Sequence, residues 1–455
     1  LALLFPLPAQ NIDWTKTNAE TIQHYTNLLR IDTTNPPGNE TRAVQYIQSV
    51  LAKDGIPSKI LALEPERANL VARIRGNGKK RPVLVMGHTD VVGVQRDKWT
   101  VDPFAAIRKE GFIYGRGATD DKDNLTAGLM LMLLLKRTRA KLDRDIIFLA
   151  EAGEEGAMRL GIDFLVGRHW NEIDAEFALA EGGYIGSQNG AVKYVAITTT
   201  EKVPRGMTLV ARGTAGHGSR PIPDNAVVRI ANAVAKVGAW QPPMRLNDTT
   251  RAYFERLASI SAPDAAARYR HIVNPARSAE IQEYFWRNEP AHYSILRTSI
   301  TPTMINAGFR VNVIPSEAQA YLDIRALPDE NIGQLADQIR RLIGDPKVEL
   351  RVPAASTRPA APPSRMDTEM FRALERAQRR LYPNAITLPA MLTGATDMAQ
   401  LRARGVQAYG FGPIVDLADG GLGGAHADDE RLAVTSMENM VQFLWTVILQ
   451  VGAAK

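Results

Sequence analysis

Cysteine is absent from all 455 residues, and that one absence excludes disulfide bonds, thiolate metal sites and a cysteine nucleophile together. It leaves the compartment open. Internal repeats are lacking as well. A strong charge bias is also missing: 55 Lys and Arg stand against 49 Asp and Glu, a formal net charge of +6. The basic residues are scattered, and the tightest cluster, Lys79, Lys80 and Arg81, precedes an apolar strand with no interleaved aromatics. A nucleic-acid surface needs a concentrated basic face and stacking platforms, so the surplus reads as solvated surface, with a small anionic substrate as the more useful implication.

The composition, 45% hydrophobic and 23% charged, is that of an ordinary globular protein and needs no membrane class. The length exceeds one ordinary core and suits two domains, one of them interrupted by the other. Residues 1–5 are apolar and lead into Pro6-Leu-Pro-Ala9, which looks like the end of a signal segment. A periplasmic or secreted location is therefore expected, with a cytoplasmic one as the alternative; the other reading of these residues is an apolar arm packed on the body. The segment is far too short to span a bilayer.

From about residue 18 to 180 the pattern alternates helix and strand. Helices are expected over 41–53 and 123–136, and strands over 70–74, 83–86 and 145–150. The unbroken apolar run at 83–86 suits burial on both faces. After residue 190 the texture changes: a strand over 208–212, a helix over 224–237 opened by Asp224, a polar and aromatic stretch over 242–298, strands over 304–313 and 318–324, a helix over 331–343 and a strand over 347–352. This order describes a compact α+β unit. The Pro-rich segment 353–363 reads as a linker, after which a helix over 367–381, a strand over 407–411 and a helix over 436–451 return to the α/β texture. The expected division is a terminal arm over 1–17, a first domain over 18–198 completed by 357–455, and an inserted domain over 199–356.

Five motifs carry chemistry. His88 in Gly-His-Thr-Asp sits where a buried strand ends, the place where ligands gather in open α/β sheets. Asp90 lies two residues on, on the same side of extended backbone, and is placed to orient the ring through its second nitrogen. Asp120, in Gly-Arg-Gly-Ala-Thr-Asp-Asp-Lys before a helix, has two carboxylate oxygens and can bridge two cations. Glu154 and Glu155, flanked by glycines after a strand, offer one carboxylate to a metal and one to a metal-activated water, the division amide hydrolysis requires. Glu181 in Ala-Glu-Gly and His426 in Gly-Ala-His-Ala-Asp complete the set. Singly, each has a structural reading: a strand-end histidine, an N-cap aspartate, a solvated acidic turn. Together they offer nitrogen and oxygen ligands at strand ends in a chain without sulfur ligands, which matches zinc.

In this order the motifs resemble the di-zinc metallopeptidase family of aminoacylase, glutamate carboxypeptidase, carboxypeptidase S and succinyl-diaminopimelate desuccinylase, over nearly the whole chain. The resemblance implies an α/β catalytic domain, its mixed sheet flanked by helices, interrupted by an α+β lid and dimerisation domain. It implies two zinc ions per subunit, with cobalt or manganese possible: His88 and Glu181 on one, Glu155 and His426 on the other, Asp120 on both. Glu154 would be the general base, and the Asp120–Asp121 peptide would be cis. His217, in Gly-Thr-Ala-Gly-His-Gly-Ser-Arg-Pro, would reach the partner subunit's site in a homodimer and offer an oxyanion contact. Asn312 and Arg325 would face the substrate, Arg325 as a fork for a carboxylate. Arg358 is a further carboxylate contact or a solvated hinge residue, and Gly394 would line the cleft near the second metal. The 242–298 stretch resembles the carboxypeptidase S branch; Tyr253, Phe254, Tyr284, Phe285 and Trp286 line an acyl pocket or are simply core. Lys122 is followed by Asp123 where the family usually has glycine.

The expected function is zinc-dependent hydrolysis of the amide bond in an N-acyl amino acid or short peptide, of carboxypeptidase or aminoacylase type. A dipeptidase of the same family and a noncatalytic small-anion binder are the alternatives. Neither nucleic acid nor membrane is expected as a partner.

Overall fold

The computed structural model describes residues 12–353, 358–419 and 422–454. Residues 1–9, read as a signal remnant, and residues 354–357 of the Pro-rich segment lie outside the described residues. The chain divides into two compact units: Leu1–Thr199 with Ser364–Ala390 and Thr396–Lys455, and Thr200–Pro363 with Met391–Ala395. The helix Trp14–Leu29 already begins inside the segment read as an arm, because the Asp13 side chain accepts from the Lys16 amide and caps it.

The first unit is a mixed α/β structure on a ten-stranded sheet. At its centre Ile146–Glu151, Val83–His88, Phe177–Ala180 and Gln407–Gly410 run parallel. All six residues of Val83–His88 and all six of Ile146–Glu151 are buried, as strands covered on both faces must be. Each fully buried Val, Leu, Ile or Phe here contributes about 1.5–3 kcal/mol. The helix Lys122–Arg137 is buried over Lys122 to Leu135, so it lies inside the unit. Gly128 fits its middle because a Cβ there would stand 2.5 Å from the Phe148 ring. The register sets His88 opposite Glu151 and Val85 opposite Leu179, which brings Glu181 to the same edge of the sheet as His88.

The second unit carries an antiparallel sheet of Val203–Pro204, Glu317–Ala326, Met207–Arg212 and Val348–Arg351, with Ser299–Ala307 also paired to Glu317–Ala326. Its core includes Leu209, Ile230, Leu322 and Ile339. Two sequence expectations change here. The helix read as opened by Asp224 is Ala226–Ala239, capped by the Asn225 side chain; Asp224 instead takes Thr214, Arg229 and Lys347. The 242–298 stretch is helical: Asp248–Ala258, Pro263–His271, Ser278–Asn288 and Pro290–Ile295. A capping box between Asn247 and Thr250 starts the first, and Pro263 and Pro290 open the second and fourth. Phe254 and Phe285 are its core, stacked with centroids 5.9 Å apart, whereas Trp286 is exposed. Among the described residues no helix is long and apolar enough to cross a membrane.

Candidate metal centre

Five acidic and imidazole side chains expected as ligands, and the expected base, all belong to the first unit. His88 ends a central strand and is 1% exposed. Its Nε2 lies 2.9 Å from Asp120 Oδ1. His426, arriving from far along the chain, has its Nε2 3.1 Å from Asp120 Oδ2 and 2.8 Å from Glu155 Oε1. One carboxylate thus turns an oxygen to each imidazole. His88, Asp120 and Glu155 form one group whose ligand atoms lie within 4.8 Å of one another, and His88, Glu154 and Glu181 form another.

Asp90 is wired differently from the sequence expectation. The second ring nitrogen of His88 is 2.9 Å from the Asp90 backbone carbonyl, while the carboxylate stands off at 3.6 Å. The carboxylate is engaged elsewhere: Oδ1 accepts from the amides of Gly153 and Glu154, and Oδ2 from the Glu155 amide and from Asn35 Nδ2. Asp90 therefore orients His88 through its main chain and holds the Glu154–Glu155 loop through its side chain. Four donors on a fully buried carboxylate leave it with no open lone pair to satisfy.

Asp121, passed over in the sequence, accepts from the His88 amide and from Asn124 Nδ2. The Asp120–Asp121 peptide is cis. Gly87 permits the close approach, since a Cβ there would be 2.9 Å from Asp121 Oδ2. Glu151 and Asp397 were also missed; both line a recess with His88, Asp121 and Glu181. Glu151 stands three residues before Glu154, and Asp397 three residues after Gly394. Gly394 itself falls in the second unit.

The electrostatics describe a place short of positive charge. Burial raises the carboxyl of Glu181 well above its ordinary value, and the charges of Asp120 and Glu154 add to it. Burial, then Asp397, does the same to Glu151, and burial lifts Asp121 to about 7. For Asp120 burial works in the same direction, but hydrogen bonds from His426 and His88 outweigh it and hold the carboxyl low. Hydrogen bonds to Asp120 and Glu155 push His426 up to about 10. Crowded carboxylates, mostly buried, with imidazoles facing Asp120 and Glu155, make a donor set that fits divalent cations, for which the imidazoles serve as neutral ligands.

The remaining expected residues belong to the second unit. His217 is exposed, with Nδ1 2.7 Å from Ser219 Oγ, on the short pairing of Gly216–His217 with Val313–Ile314. Gly218 donates to the Asn312 carbonyl, so those two motifs lie side by side. The Arg325 fork is engaged by Asp323 at 2.9 and 3.3 Å, so a substrate carboxylate would have to share it. Arg358 is 9% exposed and its carbonyl accepts from Arg205, which corrects the reading of a solvated hinge residue.

A parallel-centred sheet whose strand ends gather imidazoles and carboxylates defines the protein as a metallohydrolase of the α/β class. Residues 84–450 match peptidase family M20/M25/M40, and the chain belongs to that family. It is similar to the N-fatty-acyl-amino acid synthase/hydrolase PM20D1 of Mus musculus, 29% identical over 380 residues that cover 81% of this chain and 74% of that protein. A probable carboxypeptidase S-like 2 of Dictyostelium discoideum is 29% identical over 377 residues, 81% of this chain and 71% of that protein. The fold is that of an M20 family metallo-carboxypeptidase from Sulfolobus solfataricus, with a TM-score of 0.71 over 95% of this chain and 99% of that one at 17% identity.

Proposed function

We propose that this M20-family hydrolase cleaves the amide bond of an N-acyl amino acid or a short peptide, using two divalent metal ions, zinc first, with cobalt or manganese as substitutes. The observation that carries the reading is Asp120, whose two oxygens address His88 and His426 separately. His88 and Glu181 would hold one ion, Glu155 and His426 the other, and Asp120 both. Bound there, the pair would supply Lewis acidity and a water acidic enough to attack near neutral pH. Glu154 would take the proton of that water and return it to the departing amine. Asp90 holds the Glu154 main chain by its amide, which sets where the base's side chain starts relative to His88.

The names of the similar proteins, a fatty-acyl amino acid hydrolase and a carboxypeptidase S-like protein, favour substrates with a free carboxylate beside the scissile amide. The test is turnover of N-acetyl and N-long-chain-acyl amino acids and dipeptides, each with added zinc, cobalt or manganese. Hydrolysis of the N-acyl substrates, lost when their carboxylate is blocked as an amide, is expected; no turnover of any member with any metal would sink the reading.

The same proposal includes a homodimer through the second unit, with His217 donating to the scissile carbonyl in the partner subunit's site. Its support is apolar surface on that unit: Met304, Ile305, Phe309 and Val311 are all exposed, and among the described residues Ser299–Ala307 pairs only with Glu317–Ala326. Light scattering should give twice the chain mass, falling towards one chain in a Phe309→Asp, Val311→Asp variant. A monomeric wild type at micromolar concentration would rule the dimer out.

A further inference from the structure

We propose that Glu430 and Arg116 form a buried clasp that positions Asp120 and His426 together and thereby sets the metal affinity of the position they share with Glu155. This inference rests on the two-metal reading above. Glu430 is 0% exposed and Arg116 2%, and they meet at 2.6 Å. Glu430 Oε2 accepts from Arg116 Nη1 and from the Gly117 amide; Oε1 accepts from the amide and the hydroxyl of Thr119. The carboxylate thus grips the loop that ends in Asp120, residue by residue. Arg116 also reaches back, with Nη2 3.5 Å from the His426 carbonyl, and its guanidinium lies 5.3 Å from the Trp99 ring centroid.

His426 needs such a device. Its side chain is 53% exposed, so packing does not fix it, and its backbone φ of 63° lies in the left-handed region that is uncommon for non-glycine residues. Among the described residues its loop is anchored a few residues downstream: Asp429 takes the amide and hydroxyl of Thr100 at 2.8 Å, Glu430 takes the Asp120 loop, and Arg431 pairs in register with Tyr114 and donates its amide to the Gly423 carbonyl. Both ligand loops therefore leave from one short antiparallel pairing and are stitched by one carboxylate. A buried ion pair is weak evidence for stability, since desolvation offsets its attraction. Here its geometry fits registration of two ligands better.

Both Glu430 oxygens only accept, so Gln in its place must turn an amide NH2 towards donors. Zinc titration of the apo full-length chain by calorimetry with a competing chelator tests the clasp. Wild type is expected to take two ions. Glu430→Gln should hold one of them about 10–100-fold more weakly, the range seen when partners of metal ligands are lost. Arg116→Lys keeps a positive charge beside Glu430 but loses the second N–H towards His426, and should weaken the same position by less; it decides the matter if Glu430→Gln does not fold. A merely structural role would lower the apo unfolding temperature and leave zinc affinity of the folded variants at the wild-type value, and that result overturns the clasp while sparing the two-metal reading. A wild type that takes no zinc overturns the reading itself.

Discussion

Replacing Glu154 by Gln is expected to lower kcat by about 10²–10⁴-fold, the usual worth of a general acid–base, while the protein keeps both metal ions. Gln has the size and hydrogen-bonding reach of Glu but cannot take a proton. The main chain at this position is held by Asp90, which accepts from the amides of Gly153, Glu154 and Glu155, so the substitution leaves the loop in place and KM little changed. The prediction also separates two roles that geometry allows. Glu154 shares a ligand-sized group with His88 and Glu181, and a carboxylate there is able to bind a cation directly. Steady-state kinetics with metal content measured by atomic absorption distinguish them. A variant that loses one equivalent of metal along with its activity makes Glu154 a ligand and removes it as the base; a variant with unchanged kcat removes it from the reaction altogether.

What was legible in the sequence follows from how each feature is encoded. The central strands announce themselves because Val83–His88 and Ile146–Glu151 are buried on both faces and therefore apolar up to the polar residue that ends each. The candidate ligands stand out because each follows a strand or sits among glycines; singly each has a structural reading, and only their order along the chain makes a site. The helices over 248–295 were hidden, since their buried positions, such as Phe254, Tyr269 and Phe285, are few and separated by charged residues. Their starts depend on caps and prolines more than on an apolar stripe. The true task of the Asp90 carboxylate was not readable either: its four donors come from Asn35 and from a loop more than 60 residues downstream, and only the folded sheet brings them together. The same holds for Arg116 and Glu430, over 300 residues apart. The Asp120 and His426 motifs pointed to candidate ligands, and nothing in their local sequence pointed to the Arg116–Glu430 pair beside them.

Asp120→Asn should reproduce in one substitution what a chelator does to the wild type. Dialysis against a strong chelator is expected to abolish hydrolysis and added zinc to restore it. The Asn variant is expected to stay inactive under the same zinc and to bind fewer than two ions. The reason is in the two oxygens. Oδ1 faces His88 Nε2 at 2.9 Å and Oδ2 faces His426 Nε2 at 3.1 Å, and against the upward push of burial these hydrogen bonds hold the carboxyl below its ordinary value. Asn presents one oxygen and one NH2, so whichever way the amide turns, one imidazole and its ion face a group that cannot ligate, and the negative charge shared between two cations is gone. Even partners one step removed from a metal are worth about 10–100-fold in affinity, so loss of a direct, shared ligand should exceed that upper figure. Zinc stoichiometry by calorimetry and kcat/KM after zinc addition measure both parts. Two tightly bound ions and wild-type turnover in Asp120→Asn would show that the metals, if needed, do not depend on this carboxylate; chelated wild type that stays fully active would remove metals from the reaction.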